Sequence, residues 1–275
     1  MTNAQDYATL LDLFIGLVES QAGKKIEQEE AWLNDAQVLA NKLFRHLVSM
    51  QTLAAGATLE TTHELKICFV DHSSVKIIAR AALETYLVFF YLYGSPDRSL
   101  CRFRHMTWEL GGLTDRQSFH TSTQQGHEAL AKEKSIITKL QTEIQASPWL
   151  NDYTEKQQKK LLAGEWRIGK SWIDLGTHAR FHKKYFENIY GYLCSYSHSS
   201  YLSALQVEQA HSIEDQQKLT EVILDIGVVL MAHFAFSYSE TFSDAKRILS
   251  ANPALASIAE KWRFDAEDMA TFYDR

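Results

Sequence analysis

The sequence predicts an all-α fold, a multi-helix bundle with one long apolar helix at its centre near the C-terminal third of the chain. Three observations carry this reading. The three prolines follow Ser95, Ser147 and Asn252, and a Ser or Asn before Pro is a helix cap and first helical position, where the N–H that proline lacks has no partner anyway. Apolar residues recur at spacings of three and four over long windows. No run of alternating β-branched residues bounded by turn signals competes with them.

Along the chain, Tyr7, Leu10, Leu11, Phe14, Leu17 and Val18 mark one helical stripe, and Trp32, Ala36, Leu39, Leu43, Leu47 and Met50 mark another. A third helix starts near Asp71 or Ser73 and ends at Gly94, a residue type that closes helices well. A fourth runs from Pro96 to about Leu110 and stops at Gly111–Gly112. Residues from about Gln124 to Ala146 form a polar helix with a narrow stripe at Leu130, Ile137, Leu140 and Ile144. Ser212 with Asp215 reads as a capping-box variant that opens a helix reaching about Leu249. That helix is apolar almost all round from Val222 to Phe236, which makes it central. A short helical tail follows Pro253. Without an internal repeat, a low-complexity linker or a composition break, residues 1–275 read as a single helical domain.

Composition bounds the function. With 275 residues, 45% of them hydrophobic, the chain can bury a substantial core. The formal net charge of −6 does not advertise nucleic acid or an anionic membrane as the partner of the whole surface. Cys68, Cys101 and Cys194 are far apart and odd in number, which argues against a disulfide scaffold and fits a reducing cytoplasm. The N-terminus has no basic region leading into a long apolar run, so no signal peptide is read. The most apolar stretch, Ile226 to Phe236, is too short to span a bilayer and is broken by His233. It is expected to be a buried core helix.

Two stretches offer chemistry. In SVKIIARAALETYLVFFYLY, Arg80 and Glu84 are four residues apart and share a helix face. The rest of that helix is so apolar that the pair is expected to be shielded, either as a structural ion pair that fixes helix register or as part of a polar pocket. In YGYLCSYSHSSYLSAL, Gly191, Cys194 and His198 lie along one strip of a helix that continues to Leu205. Small residues there would let another helix approach, so His198 is expected to face the pocket that contains Arg80, as a core partner or as a general acid or base.

A basic stretch runs from Lys156 to Lys184 and includes Arg180, Lys183 and Lys184, with Trp166, Trp172 and Phe181 interleaved. That mixture suits a phosphate backbone and stacked bases, although a solvated face over core aromatics has the same composition. No metal-ligand set, GxSxG, GxGxxG or phosphate loop appears. No metal or cofactor is therefore expected, and any catalysis is expected to be metal-independent.

The segments FVDHSSVKIIARAALETYLVFFYL, RFRHMTWELGGLTDRQSF and YFENIYGYLCSYSHSSYLSALQ, in that order and spacing, resemble a bacterial family of all-helical proteins known only as a domain of unknown function. The resemblance covers about residues 65–206, with helical extensions on either side. It implies that Arg80, Glu84, Tyr190 and His198 hold the hallmark positions, while Cys194 stands where a serine is expected. A looser likeness is to HEPN-type helical ribonucleases, which use an Arg and a His four to six residues apart on one helix. No Arg precedes His198 at that distance, so Arg80 would have to reach it from another helix.

The resulting expectation is a metal-independent, RNA-cleaving or RNA-binding effector of bacterial stress or phage defence. Arg80, Glu84 and His198 would be its catalytic residues, with Tyr190, Arg180, Lys183 and Lys184 in binding. The alternative is a non-catalytic helical module for a protein partner or small ligand, a homodimer being one form open to it. Neither reading calls for a membrane.

Overall fold

The computed structural model describes residues 3–273. Among the described residues, the elements are helices apart from one hairpin. Helix α1 (Asn3–Glu19), a 3-10 turn (Gln28–Leu33) and α2 (Asn34–Ala54) lead into strands β1 (Ala57–Glu60) and β2 (Lys66–Phe69). Helices α3 (His72–Tyr93), α4 (Arg98–Gln117) and α5 (Gln124–Ala146) follow, then a 3-10 turn (Pro148–Asp152) and α6 (Glu155–Leu162). The remainder comprises α7 (Trp172–His178), α8 (Lys183–Ser197), α9 (Tyr201–Gln209), α10 (Ile213–Thr241), α11 (Ser243–Ala251), α12 (Pro253–Trp262) and α13 (Ala266–Tyr273).

These elements form two compact units at points the sequence does not mark. One joins Met1–Phe90 with Trp172–Arg275, and the other is Tyr91–Ser171.

The first unit is organised by α10, which packs against α1, α2, α11 and α12. Its N-terminus carries the expected capping box, with Ser212 and Asp215 satisfying each other's backbone N–H groups. Its length and apolarity alone would let it cross a membrane, yet its residues from Gly227 to Ala235 are all buried in the unit's core. There Phe234 stacks on Phe14 at 4.2 Å, while Phe89 and Tyr238 lie 5.1 and 5.0 Å from it. The Tyr238 hydroxyl donates to Gln37 Oε1 at 2.6 Å, which gives this aromatic column a polar end. Helix α10 stops at Thr241 instead of Leu249, because Phe242 adopts extended backbone and α11 starts afresh.

Two buried polar groups tie distant parts of this unit together. Asp6 is fully buried and accepts from Lys261 Nζ at 2.7 Å and Trp262 Nε1 at 2.9 Å. Those bonds hold its carboxyl below the usual range against the opposing effect of burial. His233 is bonded through Nε2 to the Phe264 carbonyl at 2.9 Å. Burial pushes its pKa down to about 4, so it stays neutral around pH 7 and acts as the donor in that bond.

The second unit is α4, α5, α6 and the turn between the last two, closed over Phe103, Leu110, Leu140, Ile144, Leu150 and Leu161. Helix α4 does not stop at Gly111–Gly112 as the sequence suggests, but continues to Gln117. A Cβ on Gly111 would lie 2.7 Å from the Gly164 carbonyl oxygen. The glycine serves a close packing contact inside the helix and does not end it. The start of α4 differs as well. Asp97 caps the helix by accepting from the Ser99 and Leu100 N–H groups, which displaces Ser95–Pro96 from that role.

In the first unit a similar close approach joins α1 to α10, since a Cβ on Gly227 would stand 2.7 Å from the Tyr7 ring. Tyr7 cannot yield easily, because its hydroxyl donates to the Leu47 carbonyl at 2.8 Å. Gly16 has no neighbour within 4 Å of such a Cβ. Gly227→Ala is therefore expected to destabilise by about 1–3 kcal/mol through overpacking. Gly16→Ala is expected to stabilise by about 0.5–1 kcal/mol, as alanine replaces glycine inside a helix. Thermal melts of the two variants should move in opposite directions.

Candidate functional site

Helix α3 carries His72, Lys76, Arg80 and Glu84 at intervals of four. Residues at that spacing stack along one helix face, so an otherwise apolar helix has a single polar ladder. Helix α8 faces it with Tyr190, Tyr192 and Tyr196. Tyr196 and Tyr192 meet the Lys76 end and Tyr190 meets Arg80 and Glu84, so the two helices run antiparallel.

At the Arg80 end three groups close a triangle. Arg80 Nε donates to Glu84 Oε1 at 3.0 Å, Arg80 Nη2 donates to the Tyr190 hydroxyl at 3.3 Å, and that hydroxyl donates to Glu84 Oε1 at 2.7 Å. The guanidinium lies 5.4 Å from the Tyr190 ring centre. Tyr190 is held in turn by Phe186, stacked at 5.6 Å, and by Trp172 at 6.3 Å. Partial burial works against the charge of Arg80, but the Tyr190 hydroxyl and Glu84 outweigh it and raise its pKa. Burial, together with the bond to Glu84, raises the pKa of Tyr190, which keeps this hydroxyl protonated. The pair is present as the sequence suggests, but the Arg80 and Glu84 side chains keep 21% and 25% exposure. The shielding is partial.

The Lys76 end was not anticipated. Lys76 is fully buried, and His72 beside it is buried too. Lys76 Nζ lies 2.9 Å from His72 Nδ1 and 4.4 Å from the Tyr196 ring centre. Burial lowers the lysine pKa to about 8. Tyr192 and Tyr196 both donate to Gln206 Oε1, which fastens α9 to the same cage. Nothing in the local sequence announced this cluster except the interval of four from Arg80 back to Lys76 and His72.

His198 is not where the sequence placed it. Helix α8 ends at Ser197 and His198 is its C-cap. Ser199 takes a left-handed φ of 48°, and α9 starts at Tyr201, so the strip from Gly191 does not continue to Leu205. The Ser200 and Ser199 N–H groups donate to the Ser195 and Tyr196 carbonyls, the bond pair of a Schellman closure. His198 is exposed, and its ring makes no hydrogen bond among the described residues. The helical rise sets it about 12 Å beyond Tyr190 along α8. The partners of Arg80 among the described residues are Glu84 and Tyr190, and no hydrogen bond or ion pair joins it to His198.

The basic stretch divides between the units. Lys156 through Lys170 lie in one, and Arg180, Lys183 and Lys184 lie exposed in the other. Lys184 Nζ donates to the Tyr273 carbonyl at 3.0 Å, and Lys183 stands 4.0 Å from Glu187. Of the interleaved aromatics, Phe181 is buried and Trp166 and Trp172 are half-buried. They are packing groups more than a free stacking surface. Among the described residues, no group of three or more His, Cys, Asp or Glu is placed to hold a metal ion.

The hairpin is the feature with no sequence-based expectation. Its register pairs Ala57 with Phe69, Thr58 with Cys68, Leu59 with Ile67 and Glu60 with Lys66. Alternation then puts Ala57, Leu59, Ile67 and Phe69 on one face, and Thr58, Cys68, Glu60 and Lys66 on the other. Both strands are exposed along their whole length. The polar face pairs internally, Thr58 with Cys68 at 3.4 Å and Glu60 with Lys66 at 3.9 Å.

No family model matches the chain, and neither a curated protein nor a solved structure matches it.

With the ion pair only partly shielded, Glu84→Gln is expected to cost about 1–3 kcal/mol, the range for losing hydrogen bonds to a charged group. That is less than the roughly 3–5 kcal/mol of breaking a fully buried pair. Urea denaturation of the variant beside the wild type measures it.

Proposed function

We propose that the chain is a non-catalytic helical module that binds a protein partner, and that the β1–β2 hairpin is its docking element. One observation carries the reading. An amphipathic hairpin turns Leu59 (55% exposed), Ile67 (41%) and Phe69 (37%) to solvent, and grouped apolar exposure of this kind marks interaction surfaces. The ladder on α3 supports it from the other side. Arg80 and Glu84 are spent on each other and on Tyr190, which is what a structural register device does.

The partner that this surface fits is a second copy of the chain. When strand β2 pairs antiparallel with its own copy, the apolar faces coincide only if one residue lies on the two-fold axis. With Cys68 on that axis, Ile67 packs across from Phe69 of the copy and the reverse, a self-complementary contact. Each Lys66 stays beside its own Glu60, so like charges are not set opposite each other.

Analytical ultracentrifugation should show a concentration-dependent dimer that Ile67→Lys abolishes, and mild oxidation should cross-link the dimer through Cys68. A monomer at every concentration, with no Cys68 cross-link, rules the second copy out.

A second reading keeps the RNA partner implied by the family resemblance, as binding and not as cleavage. It rests on the exposed cations Arg180, Lys183 and Lys184 in one short stretch of the first unit. Binding of single-stranded RNA should then weaken with salt, and replacing the three residues by alanine should flatten that dependence. Affinity unchanged in the triple variant would end this reading.

A further inference from the structure

We propose that Lys76 and His72 form an acid-sensitive latch that holds the α8–α9 corner against α3. A fully buried ammonium needs acceptors, and no carboxylate lies within ion-pair distance of Lys76 among the described residues. Its substitutes are the lone pair of His72 Nδ1 at 2.9 Å and the faces of Tyr196 and Tyr192 at 4.4 and 5.9 Å. Around pH 7 the lysine is charged, so His72 must be the neutral, accepting partner.

Protonating His72 changes both terms at once. Nδ1 loses the lone pair that Lys76 donates to, and two cations then stand 2.9 Å apart in a buried site. The contact breaks, and with it the seat of Tyr196 and Tyr192. Their hydroxyls are the groups that hold Gln206 and hence α9. The break between α8 and α9 is a turn closed at Ser199 in a left-handed conformation that favours glycine. Other charged or titratable groups near the pair are Asp71, just before α3, Arg80 on α3 and the two tyrosines on α8, and α9 contributes the Gln206 amide that the tyrosines hold. Burial opposes protonation of His72 most, Lys76 opposes it next, and Asp71 favours it.

The direction in pH follows. The folded pKa of His72 lies below its ordinary value of 6.5. The contribution of the latch is thus complete above 6.5 and is lost as pH falls from there through the folded value. His233, whose folded pKa is about 4, adds an acid sensitivity of its own that acts on α10 and must be separated.

Hydrogen exchange of the full chain, corrected for the intrinsic pH dependence of exchange, separates them by peptide. Protection over residues 190–209 is expected to fall by up to about tenfold for each unit that pH drops between 6.5 and the folded pKa of His72, and to level off below it, while α10 peptides change less. His72→Gln, which keeps an acceptor that cannot titrate, should abolish the extra loss, whereas Lys76→Met, which removes the ammonium and keeps its length, should reduce it to the part that burial of His72 causes. Lys76→Met should also fold well, since it removes a buried charge. The latch is overturned if 190–209 and α10 lose protection in parallel in the wild type, if the extra loss persists in His72→Gln, or if Lys76→Met leaves it undiminished.

Discussion

A lysine ammonium buried from the surface must find its solvation in the protein, and Lys76, fully buried, finds it on two helices at once. His72 supplies a lone pair from one turn earlier on α3, and α8 supplies the faces of Tyr196 and Tyr192. This requirement fixes which turn of α8 lies opposite which turn of α3. Once Tyr196 sits over Lys76, Tyr190 falls opposite Arg80 and Glu84, where its hydroxyl completes their triangle. Gln206 then follows the two tyrosines and brings α9 with it. A shift of one turn would take Tyr196 off Lys76 and Tyr190 off Arg80 and Glu84 together.

Much of the architecture is legible in the sequence where local and tertiary signals agree. The helix Gln124–Ala146 and the Ser212–Asp215 capping box appear at the residues the sequence names. So does the pairing of Arg80 with Glu84, since an interval of four on a helix is itself a geometric statement. Legibility fails where a residue type has two uses. Gly111 reads as a helix end but permits a 2.7 Å approach to a neighbouring backbone. Ser199 carries no glycine signal, yet it is the left-handed residue that ends α8 and removes His198 from the ladder. Lys76 looks like an ordinary surface residue between Val75 and Ile77, because burial of a lysine depends on partners more than a hundred residues away. Strands of four residues, with Thr, Glu and Lys among them, carry too short an alternation to stand out from a loop.

The hairpin and the ladder divide the work of the first unit between them. The ladder turns its polar groups on one another, Arg80, Glu84 and Tyr190 closing one triangle of hydrogen bonds. The hairpin does the opposite: it satisfies its polar face internally and leaves its apolar face open. A surface of this kind recognises by shape and apolar area, with the backbone edge of a strand to set orientation.

The order of the units along the chain has a consequence for how the protein is made. The second unit is one uninterrupted stretch, Tyr91–Ser171, and the first is assembled from the segments on either side of it. The carboxylate of Asp6 waits for Lys261, a partner 255 residues later, and α1 waits for α10. Domains tend to fold as units during synthesis, so the inner one can finish while the first half of the outer one, with its apolar helices and open hairpin, is still incomplete. Contacts that span most of the chain close slowly. A nascent chain paused before α10 is therefore the state most in need of a chaperone.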